Sequence, residues 1–448
     1  MAKRHQVVIL GGGFAGLRAA HELKRAPVEV TLIDRRNFHL FQPLLYQVAT
    51  GGLSPANIAA PLRGALRKQK NTRVLLGEAV NVDVAERRVI LKDGAVPYDT
   101  LIVATGARHH YFGHADWESF APGLKTIEDA TEMRRRILLA FEAAERETDP
   151  TQQRAWLTFV IVGAGPTGVE LAGALSEIGH DTLRHDFRRI DPSQARILLV
   201  EASDRVLPTY PPDLSASAEA ALRRLEVTVK TGTTVTRVEE DCVSLQSSVG
   251  SECVPARTVL WAAGVQGSSL GKLLAAATGA ELDRSGRPVV AADLTLPGHP
   301  EIFVVGDLAN FSHQTGKPLP GVAQVALQQG RYAGQAIQAR LEGRILPPFR
   351  YHDKGNMATV GRAAAVVELS WLHFSGYPAW LAWLFIHLLY IVEFQNRLLV
   401  AVQWAWNYFS FNRSARLITG ENPFPLALSP EPPSEENACL ETILAGRD

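Results

Sequence analysis

The chain has 448 residues, with 46 Lys and Arg against 46 Asp and Glu, so its formal net charge is zero and nothing in its composition favours binding to nucleic acid. This length is enough for two or three domains with their own cores. Three cysteines, Cys242, Cys253 and Cys439, are too few for a disulfide framework and lack metal-ligand spacing, a usage typical of a cytoplasmic protein without a metal site.

The first predicted element is a β-strand over residues 6–10, so close to the start that we expect no cleaved signal or transit peptide. The sequence Gly11-Gly12-Gly13-Phe14-Ala15-Gly16 follows, and then a helical pattern from Leu17. Glycines between a strand and a helix let the backbone approach a pyrophosphate, whose charge lies on the helix N–H groups. Asp34, which ends the next strand 18 residues after Gly16, is suited to accept a hydrogen bond from an adenosine ribose.

A further strand ends in Ala104-Thr105-Gly106, and the same plan then repeats. A strand over residues 159–162 leads into Gly163-Ala164-Gly165-Pro166-Thr167-Gly168. The next strand ends at Glu201, 33 residues after Gly168, because a polar stretch intervenes. The chain therefore contains two dinucleotide-binding units, and two facing dinucleotides are typical of an electron-transfer enzyme.

Two later strands end in small residues at positions that would adjoin a cofactor. One runs into Ala262-Ala263-Gly264, which is similar to the earlier Ala-Thr-Gly sequence, and the other runs into Gly306-Asp307. A helix is expected from Val322, with its N-terminus free to stabilise negative charge on a cofactor.

The composition changes beyond residue 346. Residues 377–392 carry no charged side chain, a second apolar block covers 398–411, and five of the eight tryptophans lie between 371 and 406. A helix of 16 residues is about 24 Å long, which is short for a hydrocarbon core of about 30 Å. Residues 346–416 hold six Lys and Arg and three Asp and Glu, so we expect helices that lie in one leaflet rather than a buried core helix.

The whole pattern resembles the two-dinucleotide flavoproteins related to glutathione reductase, and within them the type II, non-proton-pumping NADH:quinone oxidoreductases. Residues 37–49 (NFHLFQPLLYQVA) and 323–328 (AQVALQ) carry this resemblance, which extends over about residues 5–420. It implies an α/β fold with two Rossmann-like domains, the second inserted in the first. The expected divisions are an FAD-binding domain (1–115 and 288–345), an NADH-binding domain (116–287), a membrane-associating helical region (346–428) and a disordered tail (429–448).

The resemblance assigns FAD to the first unit and NADH to the second. Asp307 is expected to accept hydrogen bonds from the flavin ribityl chain, although it could simply cap the helix that follows it. The full set of expected cofactor-binding residues is Gly11, Gly13, Phe14, Ala15, Gly16, Asp34, Arg35, Thr105, Gly106, Asp307, Ala323, Gly163, Gly165, Gly168, Glu201, Ala263 and Gly264.

Four residues are candidates for the chemistry. Gln324 and Gln328 are four apart, hence on one helix face, and could border a quinone headgroup or be ordinary solvated glutamines. Glu170 follows the second loop, where it could complement a helix dipole in the first turn. The resemblance instead points it toward the nicotinamide and flavin. By the same resemblance, Lys354 corresponds to a family lysine near the same site. The alternative is that Lys354 is an ordinary surface lysine.

Glu201 favours NADH, because a carboxylate there would repel the 2′-phosphate of NADPH, although Arg205 could soften this preference. Residues 35–60 contain no cysteine, which disfavours a disulfide reductase. We therefore interpret the chain as an FAD-dependent NADH:quinone oxidoreductase, peripheral on the cytoplasmic face of the inner membrane. Its partners would be a membrane quinone and the lipid surface, with a homodimer left open. The alternatives are a soluble NAD(P)H:acceptor flavoprotein reductase and an NAD-sensing flavoprotein without turnover.

Overall fold

The computed structural model of the protein describes residues 4–420. The predicted disordered tail (429–448), residues 421–428 of the predicted membrane-associating region and Cys439 lie outside the described residues. The α-helices are α1 (Phe14–Glu22), α2 (Leu45–Ala49), α3 (Leu62–Leu66), α4 (Ile127–Arg146), α5 (Pro150–Trp156), α6 (Pro166–Glu177), α7 (Pro212–Arg224), α8 (Ser269–Thr278), α9 (Ala323–Leu341), α10 (Tyr377–Tyr390) and α11 (Phe394–Ser410).

The strands form two parallel-type sheets and several small antiparallel ones. They are β1 (His5–Leu10), β2 (Val28–Asp34), β3 (Phe38–Leu40), β4 (Ala59–Pro61), β5 (Thr72–Leu76), β6 (Ala79–Asp83), β7 (Arg88–Leu91), β8 (Gly94–Pro97), β9 (Thr100–Val103), β10 (Ala107–His109), β11 (Thr158–Val162), β12 (Arg196–Val200), β13 (Thr228–Lys230), β14 (Thr234–Val238), β15 (Cys242–Ser247), β16 (Gly250–Pro255), β17 (Thr258–Trp261), β18 (Val265–Gly267), β19 (Thr295–Leu296), β20 (His299–Val304), β21 (Asn356–Thr359), β22 (Ala365–Leu369) and β23 (Leu372–Gly376).

The first large sheet has the strand order β19-β20-β9-β1-β2-β5, with β1 between the parallel strands β2 and β9. Residues 7–10 of β1 and all of β9 are buried, because helices and loops cover both faces of the sheet. Strands that are buried on both faces appear in the sequence as continuous apolar runs instead of alternating ones. For this reason these strands can be predicted from the sequence.

The second large sheet, β13-β12-β11-β17, repeats the arrangement around β11. The chain then returns to the first sheet, where β20 pairs in parallel with β9. The second Rossmann-like unit is therefore inserted in the first, which confirms the predicted fold class. The two units are joined by the short antiparallel pair of β10 and β18, while the exact domain divisions at 115/116 and 287/288 stay predictions.

The C-terminal region packs against both units. The antiparallel sheet of β21, β22 and β23 leads into α10 and α11, and one continuous core joins residues of this region, such as Val366, Trp383 and Val400, to α2, α4 and α6. Among residues 4–420, no helix is both long enough and apolar enough to cross a bilayer.

Candidate functional site

The first glycine loop connects β1 to α1. Gly11 has φ of +101°, and a Cβ atom there would strike the Ala104 carbonyl, while one on Gly16 would strike the carbonyl of Gly11. Gly13 differs, because a Cβ atom there would meet no heavy atom within 4 Å. Since Gly13 is the N-cap of α1, the open space lies at a helix N-terminus, where a pyrophosphate fits.

The second loop repeats this geometry between β11 and α6. Gly163 has φ of +97° and packs against Ala263, and a Cβ atom on Gly168 would strike the carbonyl of Gly163. Gly165 is the N-cap of α6 and again has open space around its missing Cβ atom. The structure thus provides two equivalent cradles for dinucleotide phosphates.

The two acidic residues at the strand ends are held in the same way. Asp34 accepts hydrogen bonds from the N–H of Gly12 at 2.6 Å and of Arg36 at 2.7 Å. Glu201 accepts from the N–H of Ala164 at 2.7 Å and of Ser203 at 2.9 Å. Each carboxylate is therefore fixed beside its loop with lone pairs left for ribose hydroxyls.

Other expected contacts of the first cofactor lie around this loop. The Phe14 ring packs edge-on against His39, with ring centroids 5.0 Å apart, and Ala15 lies against Gly330 of α9. The Thr105 and Ser268 hydroxyls are 2.6 Å apart, and the carbonyl of Gly106 accepts from the Ser268 N–H. The side chain of Arg35 is exposed.

Asp307 lies in the short 3₁₀ turn Gly306–Leu308 that follows β20. Its neighbours are Gly321, which precedes α9, and Lys125, whose Nζ lies 4.0 Å from Oδ2 of Asp307. The predicted helix start is confirmed, since Ala323 begins α9 after the N-cap Val322. Sequence reasoning missed Lys125, which precedes α4 far from any motif and carries no local signal.

The predicted quinone-site residues meet at the start of α9 and the segment before β21. Gln324 donates a long 3.4 Å hydrogen bond to the Gly355 carbonyl, and its buried Oε1 has no partner among the described residues. Gln328 is different, because its amide both donates to the carbonyl and accepts from the N–H of His352. Lys354 is exposed. Of the two glutamines, Gln324 has the unsatisfied acceptor.

Glu170 is not in the first turn of α6 but in the second, so the dipole interpretation of this residue is wrong. The position of Pro166 at the start of α6 moves Glu170 past the free N–H groups. Its side chain is buried, and a 3.4 Å contact with the Thr359 N–H is its hydrogen bond. Burial raises the pKa of Glu170 to about 8, so the carboxyl is protonated at neutral pH.

A cavity lies between α2, α6 and the C-terminal helices, lined by Tyr46 and Glu170 on one side and by Trp383, Trp404 and Tyr408 on the other. The indole of Trp404 donates to Oε1 of Gln47 at 2.6 Å, whereas the buried indole N–H of Trp383 has no partner in the described part of the chain. Aromatic side chains of α10 and α11 thus line the same cavity as Glu170.

The outer faces of α10 and α11 are apolar and exposed. Phe385 is 61 % exposed, Phe394 78 % and Phe409 79 %, and only Ala379 and Trp383 of α10 are buried. A buried core helix therefore does not describe α10.

The two cysteines among residues 4–420 lie outside this cavity. Cys242 and Cys253, which are bonded to each other, lie on β15 and β16 at the edge of the second unit, and neither lines the cavity.

Comparison with known proteins agrees with this geometry. Residues 5–330 match the pyridine nucleotide-disulphide oxidoreductase family, and residues 353–413 match the NDH2 C-terminal domain. Two type II NADH:quinone oxidoreductases of Mycobacterium tuberculosis are similar throughout. One is 45 % identical over 430 residues, covering 94 % of this chain and 92 % of the relative, and the other is 46 % identical over 428 residues, covering 93 % and 90 %.

The fold matches a solved structure of NDH2 from Plasmodium falciparum in complex with NADH, with a TM-score of 0.83 and 19 % identity over 93 % of this chain and 100 % of that one. The sequence identity with the mycobacterial proteins over nearly the full chain decides the family. This chain belongs to the type II NADH:quinone oxidoreductases.

Proposed function

We propose that this protein is a membrane-surface flavoenzyme that oxidises NADH and reduces a membrane quinone without pumping protons. The observation that carries the proposal is the pair of equivalent cradles at Gly13 and Gly165 in one chain whose C-terminal helices expose an apolar face. FAD, when bound, accepts a hydride from NADH and passes electrons to the quinone.

The first unit would hold FAD. The open space at Gly13 and the N-terminus of α1 suit its pyrophosphate, and the anchored carboxylate of Asp34 suits its ribose. Asp307, beside Lys125, is available to the ribityl chain. The N-terminus of α9 at Ala323 contributes partial positive charge, which stabilises an anionic ring by roughly 0.3–2 kcal/mol.

The second unit would bind NADH. Gly165 and the N-terminus of α6 suit the pyrophosphate, with Gly163, Gly168 and Gly264 keeping the backbone close. Glu201 suits both ribose hydroxyls and would repel a 2′-phosphate.

Glu170 and Gln324 would serve the reacting end of the site. Because Glu170 is buried and protonated at neutral pH, it adds no negative charge beside the nicotinamide and holds a proton near the acceptor. Gln324 has an unsatisfied Oε1 that could accept from a reduced quinone hydroxyl. Gln328, whose amide is occupied by His352, would position the 352–355 segment that carries Lys354.

The helices α10 and α11 would dock the enzyme on the cytoplasmic face of the inner membrane. Their exposed aromatic and aliphatic side chains suit the interfacial region of a bilayer, where a quinone with a lipid tail is found.

The experiment is purification of the full chain, measurement of its flavin content and assay of NADH oxidation with and without a ubiquinone or menaquinone analogue. Stoichiometric FAD and quinone-dependent turnover are expected. A colourless protein that fails to take up FAD would refute the proposal.

A further inference from the structure

The two dinucleotide units differ at one matching position. Gly106 and Gly264 lie at matching positions, three residues beyond β9 and β17, and both have positive φ, at +67° and +70°. A Cβ atom on Gly106 would meet nothing within 4 Å, whereas one on Gly264 would lie 2.7 Å from Cζ of Phe112. Among residues 4–420, the second unit alone therefore has an aromatic ring packed on the end of this strand.

The segment that carries Phe112 is fixed to the second unit. The N–H of His110 donates to the Gly264 carbonyl at 3.3 Å, and the indole of Trp261, in β17, donates to the His110 carbonyl at 3.1 Å. The Phe112 ring has its centroid 4.6 Å from that of His110. Its position above Gly264 is thus set by hydrogen bonds to the same strand end, which itself packs against the glycine loop through Ala263 and Gly163.

The conformation of Phe112 is energetically unfavourable in the protein without a ligand. Phe112 has φ of +52°, a left-handed conformation that a bulky residue rarely adopts, and its ring is 59 % exposed. Leu207, whose N–H donates to the Ala164 carbonyl of the same loop, also has positive φ. Backbone strain of this kind concentrates where ligands bind, because the surrounding structure holds it for function.

We propose that Phe112 forms the outer wall of the NADH site, where its exposed ring contacts the bound dinucleotide beside the Gly163–Gly168 loop. This inference rests on the assignment of NADH to the second unit. The ring covers the carboxyl edge of the sheet, where a dinucleotide lies in such folds, and the ligand would bury apolar surface that is otherwise exposed to water. At the equivalent edge of the first unit, no described residue packs on Gly106 in this way.

The test compares Phe112→Ala and Phe112→Gly with Phe120→Ala, a partly exposed phenylalanine of the neighbouring segment that does not touch Gly264. NAD⁺ affinity is measured by calorimetry on the FAD-loaded enzyme, together with KM and kcat for NADH and the thermal midpoint. Both Phe112 variants are expected to weaken NAD⁺ binding and raise KM roughly tenfold, with kcat at saturating NADH nearly unchanged. Phe120→Ala should leave NAD⁺ affinity unchanged.

The glycine variant separates binding from folding. Glycine adopts positive φ without penalty, so Phe112→Gly should melt no lower than Phe112→Ala and yet bind NAD⁺ as weakly. Recovery of affinity in the glycine variant, or wild-type affinity in both, would overturn the inference. If the wild type itself binds no NAD⁺, the proposed function fails as well, and that result is distinct because it appears without any substitution.

Discussion

The Glu177 carboxylate, at the C-terminal end of α6, accepts a 2.6 Å hydrogen bond from the guanidinium of Arg413, three residues beyond α11. The same guanidinium donates to the hydroxyl of Thr50 at 2.9 Å, next to α2. One side chain therefore fastens the C-terminal region to both nucleotide-binding units. Arg413 is consequently not free to face lipid, as its place in a basic segment suggested.

Replacement of Arg413 by Met should destabilise the protein strongly. Both side chains of the pair are largely buried, at 13 % and 14 % exposure, and loss of one partner leaves an uncompensated charge, at a cost of roughly 3–5 kcal/mol. Thermal denaturation of the FAD-loaded enzyme measures this. The control is Arg237→Met, which breaks the exposed pair with Glu239 and should cost less than about 1 kcal/mol. Equal effects of the two substitutions would contradict a buried clamp.

Glu170 should make stability depend on pH. Its pKa is raised from 4.5 to about 8 by burial, so between these values the folded protein keeps a proton that the unfolded chain has lost. The stabilisation is complete below pH 4.5 and falls as pH rises toward 8, by roughly 1.4 kcal/mol per unit. Glu170→Gln lacks this titration, so its melting temperature relative to the wild type should rise from pH 5 to pH 8. The exposed control Glu86→Gln should give a curve parallel to the wild type, and a parallel curve for Glu170→Gln would refute the prediction.

Glu201 should set the preference for NADH. Its fixed carboxylate would repel the 2′-phosphate of NADPH, so kcat/KM for NADH should exceed that for NADPH by roughly 100-fold. Glu201→Gln removes the charge and should reduce this ratio. Asp34→Asn, at the matching position of the first unit, should leave the ratio unchanged while lowering FAD retention. If the ratio of kcat/KM for NADH to kcat/KM for NADPH changes equally in both variants, neither carboxylate discriminates between NADH and NADPH by itself.

The parts of the site that could be predicted are those encoded by local sequence. The strand, glycine loop and helix around Gly11 and Gly163 are contiguous, and the requirement for positive φ or close packing explains Gly11, Gly16, Gly163 and Gly168. Asp34 and Glu201 follow because a strand of known length ends at each of them.

The parts that could not be predicted depend on contacts between distant segments. Lys125 reaches Asp307 across 182 residues, and Arg413 reaches Glu177 across 236. The Gln328 amide donates to the His352 carbonyl. His352 lies in a loop, and no periodic sequence pattern predicts the path of that loop. Burial of Glu170 likewise follows from the packing of α6 against β21, which raises its pKa and changes its chemistry.

The apolar face of α10 and α11 should bind membranes through individual exposed side chains. A triple substitution of Phe385, Phe394 and Phe409 by Ser removes side chains that are each worth roughly 1.5–3 kcal/mol when buried in an apolar phase. Most of the variant protein should then stay in the supernatant when vesicles that contain anionic lipid are sedimented. Its turnover with a water-soluble quinone should remain. Val249→Ser, a 96 % exposed position between β15 and β16, is the control. Deletion of the region is a poorer test, because it would also remove Val400 and Arg413 from the core.

The assignment of the two cradles can be tested at Gly13 and Gly165. Both residues have φ of −69°, which any amino acid adopts, and a Cβ atom on either meets no heavy atom within 4 Å. A valine at either position should therefore fold as the wild type does, apart from roughly 0.5–1 kcal/mol for the altered helix N-cap. Any larger effect must come from a clash with a bound dinucleotide.

The two valine variants should then fail in different ways. Gly13→Val should be purified without FAD, whereas Gly165→Val should keep FAD and absorb visible light like the wild type but raise KM for NADH at least tenfold, because its side chain lies where the pyrophosphate meets α6. Flavin content by absorbance and NAD⁺ affinity by calorimetry distinguish them, and each variant serves as the other's control. Loss of FAD in Gly165→Val with retention in Gly13→Val would reverse the assignment of the units. Retention of both ligands in both variants would show that neither space holds a phosphate.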